Sequence, residues 1–142
     1  MDNGINKIFR DHVHITESYT GLTLSPLIKI YVAELLADFV DKPGRIPPSQ
    51  AIVELLYQAE NSREKKQVGD LCLWITGVFP NYKQRYGIRR SYYQQLGASA
   101  YRHTQSEVLW EIAEYFPVVS DFIKAATHDA HNIPHTIHKE EL

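Results

Sequence analysis

The sequence has a single cysteine among its 142 residues, so no disulfide can form within one chain. Its longest apolar run, near residues 71–79, is about half the length needed to span a membrane. The first twelve residues, MDNGINKIFRDH, carry charges and contain no apolar core, so they do not resemble a secretory signal. These absences predict a soluble, cytoplasmic protein without membrane association.

Familiar catalytic motifs are also missing. The sequence contains no G-x-S-x-G nucleophile turn, no G-x-x-x-x-G-K phosphate loop and no H-E-x-x-H zinc pair. The one cysteine, Cys72, falls on the apolar face of a predicted helix, where a thiol is usually buried and inert. The sequence therefore favours a protein that is not an enzyme and that has no cofactor.

The charges nearly cancel overall but are unevenly distributed. Residues 71–106 hold five basic residues and no acid, whereas residues 107–142 hold seven acids and two basic residues. Such a division indicates either an anion-binding face or a basic segment that pairs with the acidic last third of the chain. The five basic residues are Lys83, Arg85, Arg89, Arg90 and Arg102.

Apolar residues recur at three- and four-residue steps along most of the chain, which is typical of amphipathic helices. Ser25 and Pro26 form a strong start signal for the first of these helices, and Pro43 follows its end. A short helix is predicted from Ser49 after the rigid RIPPSQ segment. The predicted core stripe of the first helix is wide: it contains Leu27, Tyr31, Leu35 and Phe39, with Ile28, Val32 and Leu36 beside them.

The second half of the chain predicts three further helices. The helix over about 62–79 is apolar nearly all round, which indicates a buried, central position. Another helix ends near Arg102, and Ser106 caps the last one. Pro117 interrupts this last helix, so we expect a kink or two consecutive helices there.

The sequence thus predicts an all-α fold, a single-domain bundle of five or six helices within residues 1–142. Residues 1–24 show no helical period and are predicted to be irregular, with HVHIT at 12–16 extended. Residues 128–142 form a His-rich tail that we expect to be flexible.

Two glycines, Gly69 and Gly77, fall on one side of the predicted central helix, where each costs about 1 kcal/mol relative to alanine. The simplest reason is close backbone approach by another helix, for which residues 97–100, GASA, offer a matching small surface. The alternative is that the glycines make room for a ligand.

The same segments carry a resemblance to a known group of proteins. GDLCLWITGVFP at 69–80, followed by YYQQLGASAY at 92–101, is similar to a signature of small all-helical bacterial proteins, G-D-x-x-L-x-x-x-G-x-F-P and Y-Y-x-x-x-G-x-x-A-Y. The resemblance spans about residues 24–126. It implies an all-helical fold and a bacterial cytoplasmic setting. The family has no established activity, so the resemblance implies no catalytic residue.

The segment 81–102 combines basic residues with tyrosines at the start of a predicted helix, where free N–H groups favour anions. Arginine binds phosphate and carboxylate groups bidentately. The alternatives are structural ion pairs with Glu107, Glu111 and Glu114, and nucleic-acid binding, which the small basic excess disfavours. The predicted anion- or partner-binding residues are Lys83, Arg85, Arg89, Arg90, Tyr92 and Arg102.

The C-terminal tail places four histidines at positions i, i+3, i+7 and i+10. On one unbroken helix they would share a side and suit Zn, Ni or Cu. Pro134 breaks such a helix, so a solvated tail is the main expectation and a divalent metal site the alternative. The four residues are His128, His131, His135 and His138.

These observations predict a non-enzymatic α-helical interaction module whose segment 81–102 contacts an acidic or phosphorylated partner or ligand. A homo-oligomer such as a homodimer is expected, because Trp110 and Tyr115 fall off the core stripe of the last helix and aromatic residues favour interfaces. The alternative is a small-molecule or metal-binding protein or enzyme, with a pocket between the central helix and the arginine cluster.

Overall fold

The computed structural model of the chain describes residues 4–40, 49–79 and 89–129. Over these residues the fold is all-α, with no strand, which confirms the predicted fold class. Seven α-helices are present in the described ranges, more than the five or six predicted, because residues 4–20, predicted to be irregular, form a helix; a π-helical turn, Ala125–Asp129, follows the last of them. The α-helices are α1 (Gly4–Thr20), α2 (Pro26–Val40), α3 (Ser49–Gln58), α4 (Ser62–Val78), α5 (Arg90–Arg102), α6 (Glu107–Glu114) and α7 (Phe116–Lys124).

The first helix corrects the prediction that residues 1–24 are irregular. The inward side of α1 carries Phe9, Val13, Thr16 and Thr20, which follow one another at steps of four, three and four residues. Val13 and Thr16 are buried. The Thr16 hydroxyl donates to the carbonyl oxygen of His12 at 2.8 Å, so this polar side chain enters the core with its hydrogen bond satisfied.

The helical period of α1 is hard to see because apolar character does not follow burial there. Ile8 and Ile15 are exposed, whereas two of the four inward residues are threonines. His12 and His14 lie on this helix, so the prediction of an extended HVHIT segment is wrong. The helix ends before Gly21, whose φ of 76° is the left-handed conformation that glycine adopts readily at a helix end.

The start of α2 agrees with the prediction, and most of its predicted core stripe faces inward. Ser25 Oγ accepts a hydrogen bond from the Ile28 N–H at 3.4 Å, and Pro26 is the first helical residue. Leu27, placed on the core stripe by its spacing, is 59% exposed. Because α2 is apolar on most sides, the spacing alone does not show which edge of the stripe meets solvent. The predicted stripe residues Ile28, Val32, Leu35 and Leu36 are buried.

The central position predicted for the helix over 62–79 is confirmed. α4 begins at Ser62, and Asn61 caps it, its side-chain oxygen accepting from the Glu64 N–H at 2.8 Å. α4 packs most extensively against α5, and it also contacts α2, α3 and α7. Because other helices contact α4 on several sides, most residues in its second half are shielded from solvent. The buried residues are Val68, Gly69, Asp70, Leu71, Cys72, Leu73, Ile75, Thr76 and Gly77.

The last predicted helix is two helices, as the proline suggested. α6 and α7 are separated at Tyr115, and Pro117 lies in the first turn of α7, where a missing N–H costs nothing. Ser106 caps α6, its Oγ accepting from the Leu109 N–H at 3.3 Å. The predicted apolar stripe runs unbroken across the junction, with every member buried: Leu109, Ile112, Phe116, Val119, Ile123 and Ala126.

The glycines of α4 give room to large side chains rather than to a small surface. A Cβ on Gly69 would lie 2.2 Å from the Tyr101 ring on α5, and a Cβ on Gly77 would lie 2.4 Å from Ile123 on α7. On the facing helix, a Cβ on Gly97 would lie 2.8 Å from the Cys72 Cβ. Close packing of α4 and α5 is thus confirmed, but what fills the space beside Gly69 is an aromatic ring.

Candidate functional site

The start of α5 is the described part of the predicted binding segment. Arg89 occupies the N-cap position and Arg90 is the first helical residue. The Arg89 side chain makes no capping hydrogen bond, and the first turn of this helix contains no acid. Arg89 is exposed, whereas Arg90 is partly buried, so the two consecutive arginines lie in different environments. Lys83 and Arg85, also predicted for the site, lie outside the described residues.

The Arg90 side chain is used within the fold. Its Nε donates to the carbonyl oxygen of Thr76 at 2.7 Å, near the end of α4, where carbonyl groups lack helical partners. Its two terminal nitrogens donate to Asp121 Oδ1 at 3.0 Å and to Ser120 Oγ at 2.8 Å on α7. One guanidinium therefore joins α4, α5 and α7. We call these residues, with Gln94, whose amide donates to Ser120 Oγ at 3.0 Å, the Arg90 cluster.

This geometry distributes the predicted anion-binding residues over three places. Arg90 belongs to the interior, and its acidic partner is Asp121 instead of the glutamates of α6. Tyr92 is 40% exposed beside Arg89, and its ring meets Tyr93 edge-on at 6.1 Å. Arg102 is exposed at the far end of α5, about 20 Å away along the helix. Arg89 and Tyr92 therefore remain together as a surface pair.

The predicted metal site falls almost entirely outside the described residues. His128 lies in the π-helical turn, and His131, His135 and His138 follow the last described residue. Among the residues that the structure describes, no group of three or more His, Cys, Asp or Glu side chains is placed to hold a metal ion. His12, on α1, is in hydrogen-bond contact with the carbonyl oxygen of Ala126.

A buried carboxylate forms a polar cluster that the sequence reasoning missed. Tyr31 and Tyr101 both donate hydroxyl hydrogen bonds to Asp70 Oδ1, the second at 2.6 Å. Lys66, one turn earlier on α4, donates to Asp70 Oδ2 at 3.0 Å, and its ammonium lies 5.4 Å from the Tyr31 ring centre. We call these four residues the Asp70 cluster. It joins α2, α4 and α5.

Burial controls the protonation of this region. It raises the pKa of the Tyr101 hydroxyl well above its ordinary value, and the negative charge of Asp70 acts in the same direction. Burial, followed by Asp70, also raises the pKa of Tyr31. Burial raises the pKa of the Cys72 thiol to about 12, so this cysteine stays protonated and is a poor nucleophile.

One signal in the sequence points to the Asp70 cluster. Asp70 stands in the apolar run of the predicted central helix, between Gly69 and Leu71. A buried carboxylate needs hydrogen-bond donors, so its partners had to be sought on neighbouring helices. Lys66 is found by its four-residue spacing, but Tyr31 and Tyr101 are brought there only by the packing of α2 and α5 against α4.

Two grooves of the described surface lie away from Arg90. One, of about 270 Å³, lies between α1 and α2 and is lined by Arg10, Val13, His14, Pro26, Lys29 and Ile30. Another, of about 470 Å³, lies where α2, α3 and α4 meet and is lined mainly by apolar side chains, including Phe39, Leu55, Val68 and Leu71. Arg90 lies at the junction between the central helix and the arginine cluster, where it is hydrogen-bonded to Thr76 and Ser120; the pocket that the alternative placed there stays a prediction.

Comparison of the chain with protein-family models, with curated proteins and with solved structures returns no match in any of the three. The resemblance to small helical bacterial proteins therefore remains a prediction. In the described ranges, no helix combines the length and the apolar character required to cross a membrane.

Proposed function

We propose that this chain is a non-enzymatic α-helical interaction module of the cytoplasm that binds an acidic or phosphorylated partner at the start of α5. The observation that carries the proposal is the pairing of two consecutive arginines with opposite roles. Arg90 fixes the first turn of α5 against α4 and α7, and Arg89 is left exposed at the same helix end beside Tyr92.

The surroundings of Arg89 favour an anionic group. The whole of α5 contains no acid, and its N-cap residue Arg89 makes no side-chain capping bond, so the positive end of the helix dipole adds to the positive potential. Lys83 and Arg85 precede it in the chain and add two positive charges to the same segment. Arginine can bind a phosphate or a carboxylate through two parallel hydrogen bonds, and Tyr92 offers a rigid aromatic neighbour.

The alternative, a ligand or metal pocket behind the arginines, has less support. Arg90, which would line such a pocket, already donates its hydrogen bonds to Thr76 and Ser120. Binding of a partner at the surface of α5 needs no such cavity. We also propose a homo-oligomer, because large aromatic side chains of α6 and of the α6–α7 junction are exposed.

Peptide binding tests the proposal. We expect a labelled glutamate-rich peptide and a phosphoserine peptide to raise fluorescence anisotropy with the protein, and a glutamine-rich peptide of equal length not to do so. Added salt should weaken binding. Replacing Arg89 by alanine should weaken it about tenfold, the value of one charge-assisted hydrogen bond.

Arg102→Ala is the matched control, because it removes the same charge from the other end of α5, about 20 Å away. It should leave peptide binding unchanged. Equal binding of the neutral peptide, or an equal loss in the Arg89 and Arg102 variants, would contradict the proposal.

A further inference from the structure

A half-exposed tryptophan is held rigidly where α5 turns into α6. Trp110 is 46% exposed, and its indole N–H donates to the carbonyl oxygen of Thr104 at 2.7 Å. Thr104 is buried, and its hydroxyl donates to the carbonyl oxygen of Tyr101 at 2.6 Å. The ring is thus fixed against a well-ordered turn. A large aromatic side chain that is already ordered loses little entropy on binding and is a common anchor of protein interfaces.

Charges of both signs surround this ring. Arg102 ends α5 and is exposed, and Glu107 begins α6 and is exposed, as is Glu114. On a helix Glu107, Trp110 and Glu114 share one face, at steps of three and four residues. Within the described ranges, no ion pair joins Arg102, Glu107 or Glu114 to another residue. We call these residues and Trp110 the α5–α6 corner.

The corner coincides with the change of charge along the chain. The acid-free stretch of residues 71–106 ends in this turn, and the acidic third begins with the first residue of α6. In the parts of the chain with described side chains, the two stretches are joined within one molecule by a single ion pair, Arg90 with Asp121. The complementary charges at the corner therefore remain available to another molecule.

A patch that carries both signs around a central aromatic ring is complementary to itself. A two-fold axis through the corner would bring Arg102 of one protomer opposite Glu107 of its copy, and Glu107 opposite Arg102, with the two Trp110 rings between them. Self-complementary patches of this kind are what two-fold interfaces require. The exposed Tyr115 and Val118 follow within two turns and extend the apolar part of the surface.

We propose that a second copy of this chain docks on the α5–α6 corner and forms a two-fold dimer. This inference rests on one part of the proposed function, namely that the chain is an interaction module that self-associates. The surface itself is distinct from the Arg89 surface, about 20 Å away at the other end of α5.

Charge reversal tests the arrangement. In sedimentation velocity over about a hundredfold range of concentration, we expect the unaltered chain to form dimers. Arg102→Glu and Glu107→Arg should each weaken the dimer at least about tenfold, because each places like charges opposite each other twice. An equimolar mixture of the two variants should recover dimers, because both pairs in the mixed dimer then have opposite charges.

Trp110→Ala tests the contribution of the aromatic ring independently of the charges, and we expect it to lower the dimer affinity about tenfold or more. Tyr57→Ala is its control, since Tyr57 is 86% exposed on α3 and should not affect the dimer. A monomer at every concentration, or a dimer that none of the corner variants weakens, would overturn the proposal. So would a mixture of the charge variants that stays monomeric.

The peptide assay separates this proposal from the proposed function. Arg102→Glu should still bind the phosphoserine peptide as a monomer. Dimers without peptide binding would refute only the Arg89 surface, and peptide binding by a strict monomer would refute only the corner.

Discussion

A carboxylate can be buried in this core because three donors surround it. Asp70 accepts two tyrosine hydroxyls on one oxygen and the Lys66 ammonium on the other. Lys66 itself stays half exposed, so the pair is only partly removed from water. The desolvation cost of the carboxylate is thereby offset, and its position between Gly69 and Leu71 in an apolar helix becomes intelligible.

Replacing Asp70 by asparagine should lower the free energy of unfolding by about 2–3 kcal/mol. The amide keeps the shape but removes the charge that the two hydroxyls and the ammonium contact, and it turns an N–H₂ group toward one of these donors. Urea denaturation measures the change. Asp11→Asn is the control, because Asp11 pairs with Lys7 on the exposed side of α1 and should cost less than about 1 kcal/mol. Equal effects of the two substitutions would contradict a structural role for the Asp70 cluster.

The two arginines show what a sequence leaves undecided at this scale. Arg89 and Arg90 have the same chemistry and adjacent positions, and both were predicted to bind an anion. Only the rotation of the first turn of α5 determines that Arg90 reaches Thr76 and Ser120 while Arg89 lies exposed. Successive side chains on a helix point in directions about 100° apart around its axis, and this rotation separates the internal contact of Arg90 from the surface position of Arg89.

Whole elements were easier to predict where burial follows apolar character. The long stripe from Leu109 to Ala126 is apolar at every inward position, so its course and its break at the proline could be predicted. α1 was missed because its inward face includes Thr16 and Thr20 and two of its isoleucines face outward. In α2 the helix and most of its inward side chains were predicted, but the exposure of Leu27 was not, since apolar residues lie on most sides of this helix.

Because the Arg90 side chain joins three helices, its removal should lower the stability of the fold. Arg90→Ala should lower the free energy of unfolding by about 2–3 kcal/mol, because it leaves the carbonyl of Thr76 and the hydroxyl of Ser120 without this donor. Arg89→Ala should change it by no more than about 0.5 kcal/mol, as expected for an exposed residue. Thermal or urea unfolding of the two variants makes the comparison. A larger loss for Arg89 than for Arg90 would contradict the assignment of Arg90 to the interior.

At the scale of the molecule, Asp70 is the one charged residue classed as buried among the described residues. The clusters around Asp70 and Arg90 hold several of the polar groups that enter the core, and both involve α4, whereas Thr16 and Thr104 bond to backbone carbonyls elsewhere. The remaining charges of α5 and α6 face outward on either side of one turn. The sequence indicated this division by its charge pattern, but it could not show that the boundary falls at an exposed corner rather than inside the fold.

The stability of the whole molecule should fall in alkaline solution. The Cys72 thiol and the hydroxyls of Tyr31 and Tyr101 have pKa values raised by burial, that of Cys72 to about 12, so the native state keeps their protons. The unfolded chain releases the thiol proton near pH 8.5 and the tyrosine protons near pH 10, at their ordinary pKa values. Above these values the unfolded state binds fewer protons than the native state, so the free energy of unfolding decreases as pH rises, by about 1.4 kcal/mol per pH unit for each group. Urea unfolding between pH 8 and pH 11 measures the slope. Cys72→Ala should remove the part of the fall that begins below pH 10, and an unchanged slope in that variant would show that the buried thiol is not its source.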